Sequence, residues 1–275
     1  MKKFIKFIGL ALFSFLVFTA CSSQNGNGAQ PEGNGEESVE TQGQAGQFVV
    51  AVPVEMEEAM KAIAASFPQG EGMTIIADKS GVHQKSIEEG SDIDVFISGD
   101  KKQMDTLVQK ELIEADSVSN LAEQELVLIQ DKTSTPIQSV EEIPNVEGKI
   151  AVGDINTVPV GRFAQEALIN LGLWNKIQDK IQYLNAAQTV IANVEQGNSD
   201  VGFVYRSNMR EAQNSSIIAS VDSGAYNPIL LPVGIVKDQD QGEKANEFAA
   251  FLKDAQAQEI LKSNGFKLIE QEPVT

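Results

Sequence analysis

The chain has 275 residues, 42% of them apolar and 22% charged, with a formal net charge of −18. That length carries one large or two modest cores, and so acidic a body, with no basic stripe, argues against nucleic acid as a partner. The single cysteine rules out an internal disulfide, and the single histidine, His83, leaves Cys/His metal sites and Ser-His-Asp chemistry close to excluded.

MKKFIKFIGLALFSFLVFTAC starts with Lys2, Lys3 and Lys6, runs apolar, and reaches Thr19 and Ala20 just before Cys21. This is the layout of a secretory signal. Residues 1–20 resemble a bacterial lipoprotein signal, with Cys21 as the lipidated residue, although Phe18 stands where leucine is usual. A single transmembrane anchor with an ordinary buried cysteine is the other reading. Residues 21–46, rich in Gly, Gln, Asn, Ser and Glu, cannot bury enough surface to offset their ordering entropy. They are expected to be a disordered tether holding a domain off a membrane. No second long apolar run follows, so the lipid would be the only attachment to the bilayer.

From Phe48 short apolar strands alternate with helical patterns. FVVAV predicts a strand, and MEEAMKAIAASF a helix with Met56, Met60, Ile63 and Phe67 on one face. MTIIA, GVHQKSIEEG, DVFISG and KQMDTLVQKEL continue strand, helix, strand, helix. LVLIQDK and KIAVG are strands. Pro159 then suits a first helical position, leaving the amides of Val160 and Gly161 free. Gly172 closes that helix. IQYL, a helix from about Ala186 to Gln196, and VGFVYR repeat the theme. SIIAS and ILLPVGIV are the last strands, and residues 243–266 read as one helical segment. Trp174 and the phenylalanines read as core. The alternation predicts an α/β fold with mixed, mostly parallel sheets flanked by helices. Ligands of such folds bind at carboxyl ends of strands, against helix N-termini.

Three blocks, SDIDVFISGDKKQMDTLVQKELI, VGDINTVPVGRFAQEALINLGLW and VEQGNSDVGFVYRSN, resemble the molybdate/tungstate-binding proteins of ABC importers, within the type II periplasmic binding proteins. The terminal FAAFLKDAQAQEILKSNGF is similar to the end of many solute-binding proteins, and the first block is likewise shared with broader relatives. The resemblance spans residues 47–269. It implies two lobes closing on a ligand cleft, expected as residues 47–128 with 231–275, and 129–230. It implies a monomeric, non-enzymatic solute-binding lipoprotein on the outer face of the cytoplasmic membrane. Its partners would be a small oxyanion, an ABC permease and the permease's ATPase, with no cofactor and no cation site.

In that family the oxyanion is held by neutral donors, which several aimed dipoles and helix N-termini make workable. By this resemblance Ser80, in DKSG, gives a hydroxyl, and Gly81 an amide beside it. Val160 and Ala187 give amides, with one residue of latitude at Ala187, and Tyr205 gives a phenol. Lys79 and Arg206 flank matched positions as possible accessories. The family's first serine falls on Glu55. An ionised carboxylate about 4 Å from a unit charge costs on the order of 4 kcal/mol at an effective dielectric near 20, and a dianion doubles that. Four outcomes follow. Glu55 turns to solvent, pairs with Lys79 or Arg206, is protonated and donates a hydrogen bond, or the ligand is a zwitterionic or cation-bearing solute. His83 reads as a surface or partly packed histidine; a Glu55–His83 metal site lacks a third ligand. Glu57 and Glu58 complement a helix dipole. An enzyme on this scaffold lacks a nucleophile-base pair.

Overall fold

The computed structural model describes residues 47–134 and 137–269. The signal, Cys21 and the tether lie outside them. The first stretch gives strand β1 (Phe48–Val52), helix α1 (Glu57–Ser66), β2 (Met73–Ala77), α2 (Ser80–Glu88), β3 (Val95–Ile97), α3 (Lys101–Gln109) and β4 (Ser119–Gln124). Next come β5 (Leu126–Asp131), β6 (Ile150–Gly153), α4 (Pro159–Asn170), α5 (Trp174–Ile177), β7 (Ile181–Leu184), α6 (Ala187–Glu195), β8 (Val201–Tyr205) and β9 (Ser215–Ser220). The chain returns through β10 (Ile229–Ile235), α7 (Gly242–Phe251), α8 (Ala255–Ser263) and β11 (Lys267–Leu268).

The strands form two sheets, ordered β11-β4-β10-β3-β1-β2 and β7-β6-β8-β5-β9. In each, the strand-helix-strand units pair in parallel, as the alternation predicts: β1 with β2 and β3, and β6 with β7 and β8. The remaining strands pair antiparallel. The chain leaves the first sheet at Glu125, between β4 and β5, and returns between β9 and β10. The expected boundary at 128/129 therefore falls inside β5, which belongs to the second sheet from Leu126. The boundary at 230/231 likewise falls inside β10, which belongs to the first from Ile229.

Each sheet packs its own core. In the first lobe Phe48, Met56, Met60, Ile63, Phe67, Phe248 and Leu261 are buried together. Phe248 meets Phe48 edge-on at 5.8 Å between ring centroids and Phe67 at 5.3 Å. In the second, Leu128, Ile150, Val152, Leu168, Phe203 and Tyr205 do the same. Burial of each large apolar side chain contributes about 1.5–3 kcal/mol. Trp174 is only half-buried, against this second core. The acidic first turn of α1 is tied down by Lys61, whose Nζ lies 2.7 Å from Glu57 and 3.2 Å from Glu58.

Two departures from the sequence expectation concern local structure. β4 had no strand signature, because SNLAEQ is mostly polar; pairing with β10 and β11 makes it a strand. The terminal segment is two helices, not one. α7 ends at Phe251, and Asp254, in an extended conformation, starts α8. Among the described residues, no helix is long and apolar enough to cross a membrane.

Candidate functional site

The parallel strands of each lobe end on one edge. Val52 aligns with Ala77, and Ala51 with Phe96. The segments beyond β1, β2 and β3 therefore emerge together, bringing Glu55, Ser80 and Gly99–Asp100 to one place. In the second lobe Gly153 aligns with Leu184, and Ala151 with Gly202. The starts of α4 and α6 and the residue Tyr205 share that lobe's edge. The two edges face each other. Arg162 Nη2, in the first turns of α4, lies 2.9 Å from Asp100 Oδ2, at the N-cap of α3. Asp100 also accepts from the Lys102 amide at 2.9 Å, so one carboxylate both caps a helix and links the lobes.

Inside this cleft the first lobe presents a compact polar cluster. The Gly99 amide donates to Ser80 Oγ at 2.8 Å, which occupies one lone pair and leaves the hydroxyl proton free to aim elsewhere. A methyl group added to Gly99 would sit 3.4 Å from Ser80 Oγ and 3.5 Å from Glu55 Oε1. The Glu55 carboxylate thus turns inward, next to Ser80, instead of out to solvent. It also raises the Tyr205 phenol, whose chief perturbation is burial. Glu55, Ser80 and Tyr205 therefore share one site.

Burial pushes the Glu55 carboxyl above the usual carboxylate range; its own backbone amide and Gln124 act in the opposite direction. Gln124 is buried. Its Oε1 accepts from Ser207 Oγ at 2.8 Å. Its Nε2 meets no acceptor at hydrogen-bonding geometry, yet lies close enough to Glu55 to favour the charged form.

The expected main-chain donors stand at helix starts. Ser80 and Gly81 open α2, with Val82 and His83 amides returning to the Lys79 carbonyl. Gly81 is exposed, with open space around it. Pro159 is the first residue of α4, as predicted. Of the two amides expected free after it, Gly161's is spent on the Val158 carbonyl at 3.0 Å, while Val160's makes no bond to another described residue. Gly161 has a different purpose: a Cβ there would fall 1.9 Å from the Gly153 carbonyl oxygen. Only glycine lets α4 start directly against β6. Ala187 is the first residue of α6; the Ala186 amide is taken by Thr189 Oγ1 at 3.1 Å, which leaves the Ala187 amide among the first-turn donors of that helix. No contact ties Ala187 directly to Glu55 or Ser80.

Three expectations are corrected. Arg206 does not pair with Glu55. Its guanidinium grips Glu125 at the lobe crossing, Nε to Oε2 at 2.5 Å and Nη2 to Oε1 at 3.0 Å, and also reaches Ser220. Lys79 is exposed at the N-cap of α2 and, among the described residues, forms no ion pair with Glu55 either. His83 is buried, with its Nε2 3.0 Å from the Val52 carbonyl oxygen, which makes it the donor to the end of β1. Burial lowers its pKa, consistent with a neutral ring. Among the described residues no group of three His, Cys, Asp or Glu could hold a metal ion. Sequence reasoning missed Gly99, Asp100, Arg162 and Gln124. The one local signal was Asp100 at an N-cap position after Ser-Gly.

Residues 48–267 match the family described as bacterial extracellular solute-binding protein. A Bacillus subtilis strain 168 protein, named as an ABC transporter substrate-binding lipoprotein, YvgL, is 30% identical over 269 residues, 96% of this chain and 98% of its own. The molybdate-binding protein ModA of Escherichia coli K12 is 29% identical over 81% of this chain and 90% of its own. A solved structure, the substrate binding domain of a molybdenum ABC transporter protein from Clostridium difficile, superposes with a TM-score of 0.76. It is 31% identical, over 82% of this chain and 99% of that one. These similarities bear out the two-lobed type II architecture and the resemblance to molybdate-binding proteins. The chain belongs to the bacterial extracellular solute-binding proteins, as a substrate-binding protein of ABC transporters.

Proposed function

We propose that the protein captures molybdate or tungstate outside the cytoplasmic membrane and delivers it to an ABC permease driven by its ATPase. The observation that carries this reading is the makeup of the cleft. Ser80, Tyr205 and the unspent amides of Gly81, Val160 and Ala187 are neutral donors at facing strand edges. Such a set suits a compact oxyanion, and the N-termini of α2, α4 and α6 add their partial positive charge. The match to solute-binding proteins favours binding over catalysis as the role of this cleft. Cys21 would carry the lipid that anchors the protein, through the 21–46 tether, as a monomer. The lobes would close on the ligand about the crossings at Glu125 and between β9 and β10.

A thermal-unfolding panel tests the ligand class. Molybdate and tungstate at about a hundred times their dissociation constants should stabilise the protein by about 2.7 kcal/mol. That corresponds to a rise of roughly 5–10 °C for a body of this size. Sulfate at the same concentration should do much less. Equal shifts with all three, or none, would remove the assignment.

A further inference from the structure

Glu55 poses a problem that the neutral-donor reading does not solve by itself. Its carboxylate faces Ser80 and Tyr205 inside the cleft, and an ionised carboxylate there would repel a dianion by roughly a thousandfold or more in affinity. Among the described residues no cation pairs with it. Arg206 is held by Glu125, and Lys79 makes no ion pair. Arg162 is engaged by Asp100, whose own charge opposes it near Tyr205. His83 supplies no cation, because its ring is buried and its Nε2–H goes to the Val52 carbonyl.

We propose that Glu55 enters the liganded cleft as a neutral carboxylic acid and donates its O–H to a ligand oxygen, so that binding takes up one proton. This rests on the oxyanion reading and deepens it. A protonated carboxyl offers one donor and one acceptor. The donor replaces the hydroxyl that a serine would give at this position. The acceptor can still take the buried Gln124 Nε2, as the carboxylate also could, so protonation does not forfeit that contact. Where free Glu55 is ionised, the balanced step is protein carboxylate plus proton plus oxyanion giving carboxylic acid bound to oxyanion. Burial already favours the neutral acid before ligand arrives, and a dianion favours it further. The cost of protonation is then only about tenfold in affinity per pH unit above the pKa of the free site.

The test is titration calorimetry of the full chain with sodium molybdate and sodium tungstate at about pH 6, 7 and 8. Each pH uses two buffers of different ionisation enthalpy, so that proton uptake is read directly. The native protein should take up close to one proton per ligand at the highest pH, with affinity falling up to tenfold per pH unit. Glu55→Gln and Glu55→Ser keep a neutral donor. Both should bind without proton uptake, with a flat pH profile, and at about pH 8 more tightly than the native chain. Native binding with no proton uptake, or uptake that persists in Glu55→Gln, would overturn this inference alone. No binding of either oxyanion by any of the three folded proteins, checked by their unfolding transitions, would overturn the oxyanion reading and this inference with it.

Discussion

Arg162 and Asp100, 62 positions apart in sequence, meet across the cleft at 2.9 Å and join the start of α4 in one lobe to the N-cap of α3 in the other. The pair is about half exposed on the arginine side, which limits it to about 0.2–1 kcal/mol. In the proposed closure of the lobes it would contribute only a modest bias toward the closed arrangement. Arg162→Gln should weaken ligand affinity about two- to fivefold, mostly through faster dissociation, with the unfolding temperature nearly unchanged. Stopped-flow release of ligand checks this.

Gly161 carries a steeper prediction. A side chain there collides with the Gly153 backbone carbonyl, which cannot rotate away. Gly161→Ala should shift the start of α4, cost about 1–3 kcal/mol of stability, and lower oxyanion affinity at least tenfold by moving the Val160 amide. Denaturant unfolding and a binding titration on the same sample separate the two effects.

The first-lobe core gives a control unrelated to the ligand. Phe248 is fully buried and packs edge-on against Phe48 and Phe67. Phe248→Ala should cost about 3–5 kcal/mol in chemical denaturation. Protein that remains folded should keep its native affinity.

Acid should loosen the lobe crossing. Arg206 beside Glu125 holds that carboxyl below the usual carboxylate range, against the opposing effect of burial. A depressed folded-state pKa means the pair's contribution is complete above the unfolded value of 4.5 and is lost as pH falls through the folded value. Buried His83 acts in the same direction at higher pH. Its lowered pKa makes stability decline once pH drops below the unfolded value near 6.5. Arg206→Ala should flatten the more acidic limb of a stability-versus-pH curve. His83→Gln should flatten the less acidic one.

Much of the fold was legible because strand and helix periodicities differ. The parallel units around β1, β2, β3 and β6, β7, β8 follow from short apolar runs separated by amphipathic helices. β4 was not legible, since a polar segment becomes a strand only through neighbours more than 100 residues away. His83 was misjudged for a related reason. A polar residue one turn into a short helix looks solvated, and only the folded chain places the Val52 carbonyl against it. Pro159 and Gly172 were readable as helix punctuation, and the first predicts where α4 presents an amide. The partner of Arg206 could not be read: Glu125 lies at a crossing between lobes, and its placement depends on both sheets.

The central claim is that the cleft holds one molybdate-like oxyanion. Equilibrium dialysis of the full chain against sodium molybdate, with molybdenum counted by mass spectrometry, tests it most directly. The account predicts about one molybdenum per chain, displaced by tungstate and not by equal sulfate, and lost at the same free concentration in a Ser80→Ala, Tyr205→Phe double variant. Native protein that retains no molybdenum, or a double variant that retains as much, would contradict it.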